Sequence, residues 1–169
     1  MPNWCENKVV VSGAHDDVTA FTQMVRGHQT SFSLAQIVPE PPSDGDSWYN
    51  WRIEHWGTKW DTNNCIDNGI CGEGEDASIE YRFDTAWSPP LEAMDVLAEK
   101  CPTLNIIIHY FEGGMDFGGT REYAEGGCIH DDDDMETAYL ELNGRTLAEA
   151  RAEWEAENGI TEETENDDA

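Results

Sequence analysis

The densest group of side chains that could do chemistry lies between Trp48 and Asp61. This stretch interleaves five aromatic rings with acidic, basic and imidazole side chains. Rings in such a pattern can form the floor of a ligand pocket, and in single-strand nucleic-acid binders they stack on bases inside a basic groove. The segment predicts a pocket lined by Trp51, Glu54, His55, Trp56, Lys59, Trp60 and Asp61, together with Trp87 from a later motif.

A structural interpretation of the same segment also stands. The nearby basic residues are only Arg52 and Lys59, which is too little positive charge for a groove that follows a phosphate backbone. The rings would then cover the open face or an edge of a sheet and form a second small core. A general acid or base role for Glu54 or His55 requires a partner group, and the sequence identifies none.

Two groups of carboxylates mark the C-terminal third. The run Asp131–Asp134 follows His130, but calcium loops space their ligands at alternate positions around a glycine, so we expect solvated charge and no metal site. Glutamates also recur every four residues in a helix that is predicted to start at the capping-box residue Thr146, so they share one stripe. The predicted partner-binding acidic face is Asp131, Asp132, Asp133, Asp134, Glu149, Glu153 and Glu157.

The overall charge restricts the classes of partner. The 169 residues include 36 Asp and Glu against 9 Lys and Arg, a net charge of −27, while 7 Trp, 5 Tyr and 5 Phe indicate a folded chain. Direct nucleic-acid binding and attachment to an anionic membrane are both excluded, because each depends on clustered positive charge. No apolar run has the length of a membrane span and no signal peptide is evident, so we predict a cytoplasmic protein.

The cysteines give no sign of a metal or cofactor site. There are five, Cys5, Cys65, Cys71, Cys101 and Cys128, and no two of them form a Cys-x-x-Cys pair. A structural zinc site needs four ligands, usually in two tight pairs. The sequence therefore predicts reduced, mostly buried thiols and no cofactor.

Hydrophobic periodicity predicts an α+β fold. Strands are predicted at 8–12, 78–85 and 104–111, and helices at 16–26 and 88–101. A further strand lies at 32–38 or at 60–66. This order is that of a ferredoxin-like sandwich, in which two helices cover one face of an antiparallel sheet.

The charge distribution divides the chain. Residues 112–169 carry 19 acids and 3 bases, so we name this part the acidic annex. Glycine pairs after residue 111 predict a hairpin that extends the sheet. The predicted organisation is a ferredoxin-like domain at 1–127 with a Trp-rich insertion at 39–66, an acidic extension with a C-terminal helix at 128–159 and a disordered tail at 160–169.

Three motifs resemble the YubB-type ferredoxin-like domain family carried by phages and conjugative plasmids. They are the N-terminal Met-Pro-Asn-Trp-Cys-Glu-Asn-Lys, the Trp-Tyr-Asn-Trp of residues 48–51 with the Trp-Gly-Thr-Lys-Trp-Asp of residues 56–61, and the Phe-Asp-Thr-Ala-Trp-Ser-Pro-Pro of residues 83–90. The resemblance covers about residues 1–127 and implies the same fold. It implies no catalytic residue, and it does not require the acidic annex.

Three functional hypotheses follow. The first is a non-enzymatic mobile-element protein whose acidic surface imitates DNA and inhibits a host nucleic-acid-binding or defence protein. The second is an enzyme or small-ligand-binding protein that uses the Trp-rich surface. The third is an acidic surface adapted only to high salt, although a halophilic protein spreads its charge more evenly than this chain does. We expect the first.

Overall fold

The computed structural model describes residues 2–43 and 45–159. Its elements in chain order are β1 (Trp4–Gly13), α1 (His15–Val25), α2 (Leu34–Ile37), α3 (Trp48–Trp56), β2 (Asn63–Asp67), β3 (Ala77–Ala86), α4 (Leu91–Lys100), β4 (Asn105–Glu112), β5 (Phe117–Ala124), β6 (Gly127–Asp132), α5 (Met135–Asn143) and α6 (Leu147–Asn158). The predicted tail at 160–169 lies outside the described residues.

The strands form one antiparallel sheet in the order β2-β3-β1-β4-β5-β6. The first four positions of this order are those of the predicted ferredoxin-like sandwich, and the β5–β6 hairpin extends the sheet beyond β4 as the glycine pairs indicated. The second strand is at 63–67, which decides for the later of the two predicted positions, whereas 32–38 holds the short helix α2. Because β6 begins at Gly127, the sheet continues across the predicted boundary between 127 and 128.

Alternation along the strands gives the sheet two different faces. In β1 and β3 the odd-numbered residues are buried and the even-numbered ones are mostly partly exposed. The buried side chains meet α1 and α4 in the main core, which includes Val9, Phe21, Leu97, Ile106 and Ile108. The predicted shared core of the two helices and the sheet is therefore present.

Helix boundaries differ slightly from the predicted ones. Helix α1 begins at His15, and its N-cap residue is Ala14, whose side chain offers no hydrogen bond. Asp16 lies in the first turn of the helix, where its charge is favourable at the positive end of the helix dipole although it does not cap the helix. In α4 the N-cap position is taken by Pro90.

Helix α5 covers part of the second face of the sheet. Phe111 packs there against Leu142 and Leu147, with Tyr139 in a T-shaped contact on its ring at 4.9 Å between centroids. Gly118 lies under the start of α5, where a Cβ would come within 3.4 Å of the Met135 Cα and 2.8 Å of a backbone oxygen, so this close approach needs glycine. Lys8 of β1 donates hydrogen bonds to Glu141 of α5, and Arg82 of β3 donates one to the Leu142 carbonyl.

All five cysteines are free thiols. Only Cys5 is fully buried; Cys65 and Cys101 are half-buried, and Cys71 and Cys128 are exposed, so the expectation of mostly buried thiols is wrong. Burial raises the pKa of the Cys5 thiol far above its ordinary value. No helix in residues 2–43 and 45–159 has both the length and the apolar character needed to traverse a bilayer.

Candidate functional site

The Trp-rich segment forms helix α3 and contributes to the main core. Trp56 is 1% exposed and donates its indole N–H to the Val38 carbonyl at 2.9 Å. Arg52 lies between the rings of Trp48 and Trp56, at 5.0 and 4.9 Å from their centroids, and forms an ion pair with Glu40 at 2.7 Å. This half of the segment anchors α3 to the helical side of the sheet, and it does not form a separate second core.

The two predicted acid–base residues of α3 differ in their surroundings. His55 stacks on Trp51 with 4.5 Å between ring centroids, and its Nδ1 lies 2.8 Å from the Trp51 carbonyl oxygen. Glu54 is exposed on α3. Neither side chain makes a hydrogen bond to an acidic or nucleophilic group of the described residues that could serve as its partner in proton transfer.

Asp61 has a structural role. One carboxylate oxygen accepts the Leu34 amide at 2.7 Å, and the other accepts the Ser33 hydroxyl at 2.7 Å, so the side chain satisfies donors at the start of α2. Its Oδ1 also accepts the amide of Thr62 at 2.8 Å. With these donors bound, Asp61 organises the 30–34 loop, and it also lines an open cleft of about 390 Å³ between that loop and the start of β2.

The remaining residues of the predicted pocket form an exposed aromatic surface. Lys59 places its Nζ 4.7 Å from the ring centroid of Trp60 and 5.9 Å from that of Tyr49, and Trp60 also contacts Trp4 at 6.1 Å. Tyr49 is 42% exposed and Trp60 is 36% exposed. We name Trp4, Tyr49, Lys59 and Trp60 the aromatic surface. Sequence reasoning missed Trp4, although its motif was one of the three that carried the family resemblance.

Trp87 stands in a strained backbone conformation. Its φ is +71°, in the left-handed region that bulky side chains rarely adopt, and its side chain is 46% exposed. The Trp87 amide donates to the Asn3 carbonyl at 2.9 Å, which ties this turn to the start of β1. An exposed ring on strained backbone is typical of a residue kept for a contact outside its own domain.

Three of the four consecutive aspartates make separate local contacts, whereas Asp133 is exposed and its side chain makes no hydrogen bond or ion pair among the described residues. Asp131 pairs with Arg121 at 2.8 Å, and Arg121 also binds Asp95 of α4. Asp132 lies against His130, which lowers the pKa of that carboxyl. Asp134 is the N-cap of α5 and accepts the Thr137 amide at 3.1 Å.

The predicted glutamate stripe lies on a helix that is barely packed. In α6 only Leu147 is buried. Glu149 closes the predicted capping box with Thr146, Glu153 pairs with Arg145, and Glu157 makes no ion pair among the described residues. Trp154 is 57% exposed, because the helix extends beyond the sheet after its first turn.

A groove that the sequence did not reveal crosses the second sheet face beside α5. Its volume is about 180 Å³, and β2, β3, β1 and the end of α5 form its lining. Glu6 and Asp84 are directly opposed across β1 and β3. Partial burial, followed by the charge of Asp84, raises the pKa of the Glu6 carboxyl above its ordinary value.

Amide side chains flank this carboxylate pair. Asn64 donates to an Asp84 carboxylate oxygen at 3.0 Å from a bulge in β2, where its φ is +51°. Asn143, at the end of α5, lines the groove together with Glu6, and its side-chain amide donates to the Tyr139 carbonyl at 3.3 Å. The register that opposes Glu6 to Asp84 is a tertiary property. The only sequence signal is that Asp84 lies on the polar face of the predicted strand 78–85, whereas Glu6 precedes the predicted strand 8–12.

No three His, Cys, Asp or Glu side chains in the described ranges are placed to hold a metal ion. The candidate site comprises the aromatic surface and the acidic groove that contains Glu6 and Asp84. The groove lies on the same sheet face as Trp4. Such surfaces are suited to binding a partner.

The chain is similar to known ferredoxin-like domains. Residues 55–166 match the family model described as a ferredoxin-like domain in Api92-like protein. The crystal structure of a protein api92 from Yersinia pseudotuberculosis superposes with a TM-score of 0.50 at 18% sequence identity, covering 59% of this chain and 38% of that chain. The chain thus spans well under half the length of that protein, and the likeness shows the fold alone. A search of curated proteins found no match.

Proposed function

Because the chain belongs to the family of ferredoxin-like domains in Api92-like proteins, whose fold carries no fixed activity, we propose that it is a non-catalytic binding protein. In this proposal it is a mobile-element protein of the YubB type that acts in the cytoplasm of a host cell. Its partner is a basic host protein that binds nucleic acid, such as a defence protein, and the acidic annex occupies the surface on which that partner receives DNA.

The observation that supports this proposal is the exposure of α6. Its 12 residues extend about 18 Å, and only Leu147 is buried. Glu149, Glu153 and Glu157 repeat about every 6 Å along the axis, whereas one strand of duplex DNA presents a charge every 3.4 Å or so. The stripe therefore offers charges at roughly the spacing of every second phosphate.

The positive charges of the acidic annex neutralise only a small part of the negative charge on this surface. Arg121, Arg145 and Arg151 are the three bases of residues 112–169, and each forms an ion pair within the chain. The pairs of Arg145 and Arg151 are exposed, and such pairs contribute little and are easily exchanged, whereas Arg121 is largely buried between Asp95 and Asp131. A basic partner would therefore meet a surface whose net charge is strongly negative.

The test is competition with duplex DNA. Proteins captured from host lysate on the immobilised chain at low salt are identified, and one captured DNA-binding protein is purified. We expect the wild-type chain to displace DNA from it, with weaker displacement as salt rises. The variant Glu149→Gln/Glu153→Gln/Glu157→Gln should compete about tenfold less well, because it loses three charge contacts.

The matched control changes the same amount of charge elsewhere. Glu73→Gln/Glu75→Gln/Asp76→Asn alters three exposed acids of the loop before β3. It should compete as the wild type does. Equal loss in both variants would indicate that only net charge matters, and unchanged competition by the α6 variant would overturn mimicry by this helix.

A second candidate function rests on the strained, exposed Trp87. With the aromatic surface nearby, it favours binding of a small ligand or a peptide through aromatic contacts. Fluorescence of Trp87→Phe against wild type, during titration with the host metabolite extract, tests this alternative. A change that wild type shows and the variant lacks would support it, and identical titrations would contradict it.

A further inference from the structure

The uncovered half of the second sheet face carries two carboxylates, Glu6 and Asp84, that form no ion pair with the described residues. Glu6 and Asp84 are directly opposed in the antiparallel register, an arrangement that costs stability because like charges repel across strands. Among the described residues, no Lys, Arg or His nitrogen lies within ion-pair distance of either. The groove thus retains a local excess of negative charge.

The basic side chain nearest to this pair is engaged elsewhere. Arg82 also lines the groove, but its Nε donates to Glu80 at 2.7 Å and its Nη1 donates to the Leu142 carbonyl. These two bonds hold the guanidinium at the α5 side of the groove. Lys8, on the same face of β1, is bound to Glu141 at 3.3 Å.

The surroundings of the pair favour a planar cation with an apolar stem. Trp4 precedes Glu6 by two residues on the same face of β1, and its ring contacts Trp60. Ile66 on β2 is 64% exposed beside the groove. A guanidinium can bond to two carboxylates with its fork of N–H groups while it stacks on an indole, which an ammonium does less well.

We propose that this groove, formed by Glu6, Asp84, Asn64 and Asn143 beside Trp4, docks an arginine side chain of a basic partner protein. Charge complementarity supports this occupant, since the chain carries a net charge of −27 and the two carboxylates of the groove form no ion pair among the described residues. This inference rests on the proposed function, because the protein that supplies the arginine is the same basic partner. The groove is a second contact, separate from the stripe on α6.

The experiment uses the full chain and a defined probe. The capped peptide Gly-Arg-Gly-Arg-Gly is titrated at physiological salt while the side-chain amide signals of Asn64 and Asn143 are followed by NMR. We expect both signals to shift in a saturable manner. A peptide with lysine in place of arginine should bind more weakly.

Two variants distinguish docking in the groove from general electrostatic attraction, and a third tests the contribution of Trp4. Glu6→Gln/Asp84→Asn removes the pair and should lower the affinity for the arginine peptide about tenfold. Glu73→Gln/Glu75→Gln removes the same charge from an exposed loop and should leave affinity unchanged. Trp4→Leu should reduce the preference for arginine over lysine, because it removes the ring on which the guanidinium stacks.

The outcomes distinguish this inference from the proposed function. Equal affinity loss in the pair variant and the loop variant, or shifts confined to α6, would overturn arginine docking in the groove. The Glu149→Gln/Glu153→Gln/Glu157→Gln variant should bind the peptide as the wild type does. If it fails to compete with DNA and still binds the peptide, both proposals stand. If this variant competes with DNA as well as the wild type does, only the proposal of DNA mimicry by α6 is overturned.

Discussion

Asp61 accepts the backbone amide of Leu34 at 2.7 Å across 27 positions of the chain. The same carboxylate accepts the hydroxyl of Ser33, which is only 4% exposed. A residue predicted to line a pocket is therefore a structural link between the start of α2 and the approach to β2. This relationship gives the first prediction.

Replacing Asp61 by alanine should lower the free energy of unfolding by about 1–3 kcal/mol, because buried donors lose a charged acceptor. Chemical denaturation followed by circular dichroism measures the change. Glu54→Ala is the control from the same predicted pocket and should stay within about 0.5 kcal/mol, since its side chain is exposed. Equal effects of the two substitutions would contradict the assigned role of Asp61.

Trp56 and Trp60 belong to the same predicted pocket, and the structure separates their contributions to stability. Trp56 is 1% exposed and hydrogen-bonded, so its removal should cost about 3–5 kcal/mol. Trp60 is 36% exposed, so its removal should cost clearly less. Thermal denaturation of both variants checks this order. A Trp60→Ala variant as unstable as Trp56→Ala would show that the aromatic surface is part of the core.

Leu97 lies fully buried in the main core between α4 and the sheet. Leu97→Ala should cost about 2–5 kcal/mol through the cavity that it leaves. Leu140→Ala on α5 is the matched control, because Leu140 is 44% exposed. A measured loss below about 1 kcal/mol for Leu97 would be incompatible with the described core.

Glu6 gives a prediction with a defined pH dependence. The pKa of its carboxyl is raised in the folded state, first by partial burial and then by Asp84, so folding disfavours the ionised form. Glu6 therefore opposes folding above its raised pKa and has no such effect below the ordinary value of 4.5. Glu6→Gln should raise stability at pH 7 by a few tenths to about 1 kcal/mol.

Denaturation midpoints of Glu6→Gln and wild type, measured from pH 3.5 to pH 7.5, test this dependence. The two curves should converge at the acidic end and separate as pH rises. Glu99→Gln, an exposed acid of α4, should follow the wild type throughout. A constant difference at all pH values would show that the substitution acts by packing and not by charge.

Local patterns were sufficient for the secondary structure that carries the core. The alternation over 78–85 and the helical spacing over 88–101 each correspond to one element of the fold, because side-chain burial on one face imposes a period that is visible in sequence. The capping box at Thr146 and Glu149 is also present, since all its atoms lie within one helical turn. These predictions needed no knowledge of distant contacts.

The candidate pocket shows where such reasoning stops. Trp56, Trp60 and Asp61 are neighbours in sequence, yet one is in the core, one is on the surface and one caps a remote helix. Residue type and spacing cannot assign these roles, because each depends on which segment packs against Trp56 or donates to Asp61. Residue type and spacing likewise cannot show that Trp154 is exposed, because its exposure depends on how far α6 extends past the sheet.

The sequence by itself determined the ferredoxin-like order of elements, the strongly acidic character and the concentration of charge after residue 111. Those properties follow from composition and from periods of a few residues. Only the tertiary structure decided that β2 is the segment at 63–67 and that Glu6 opposes Asp84. Strand register is fixed by the packing of the whole sheet against its helices, so the carboxylate pair exists only once that packing is complete.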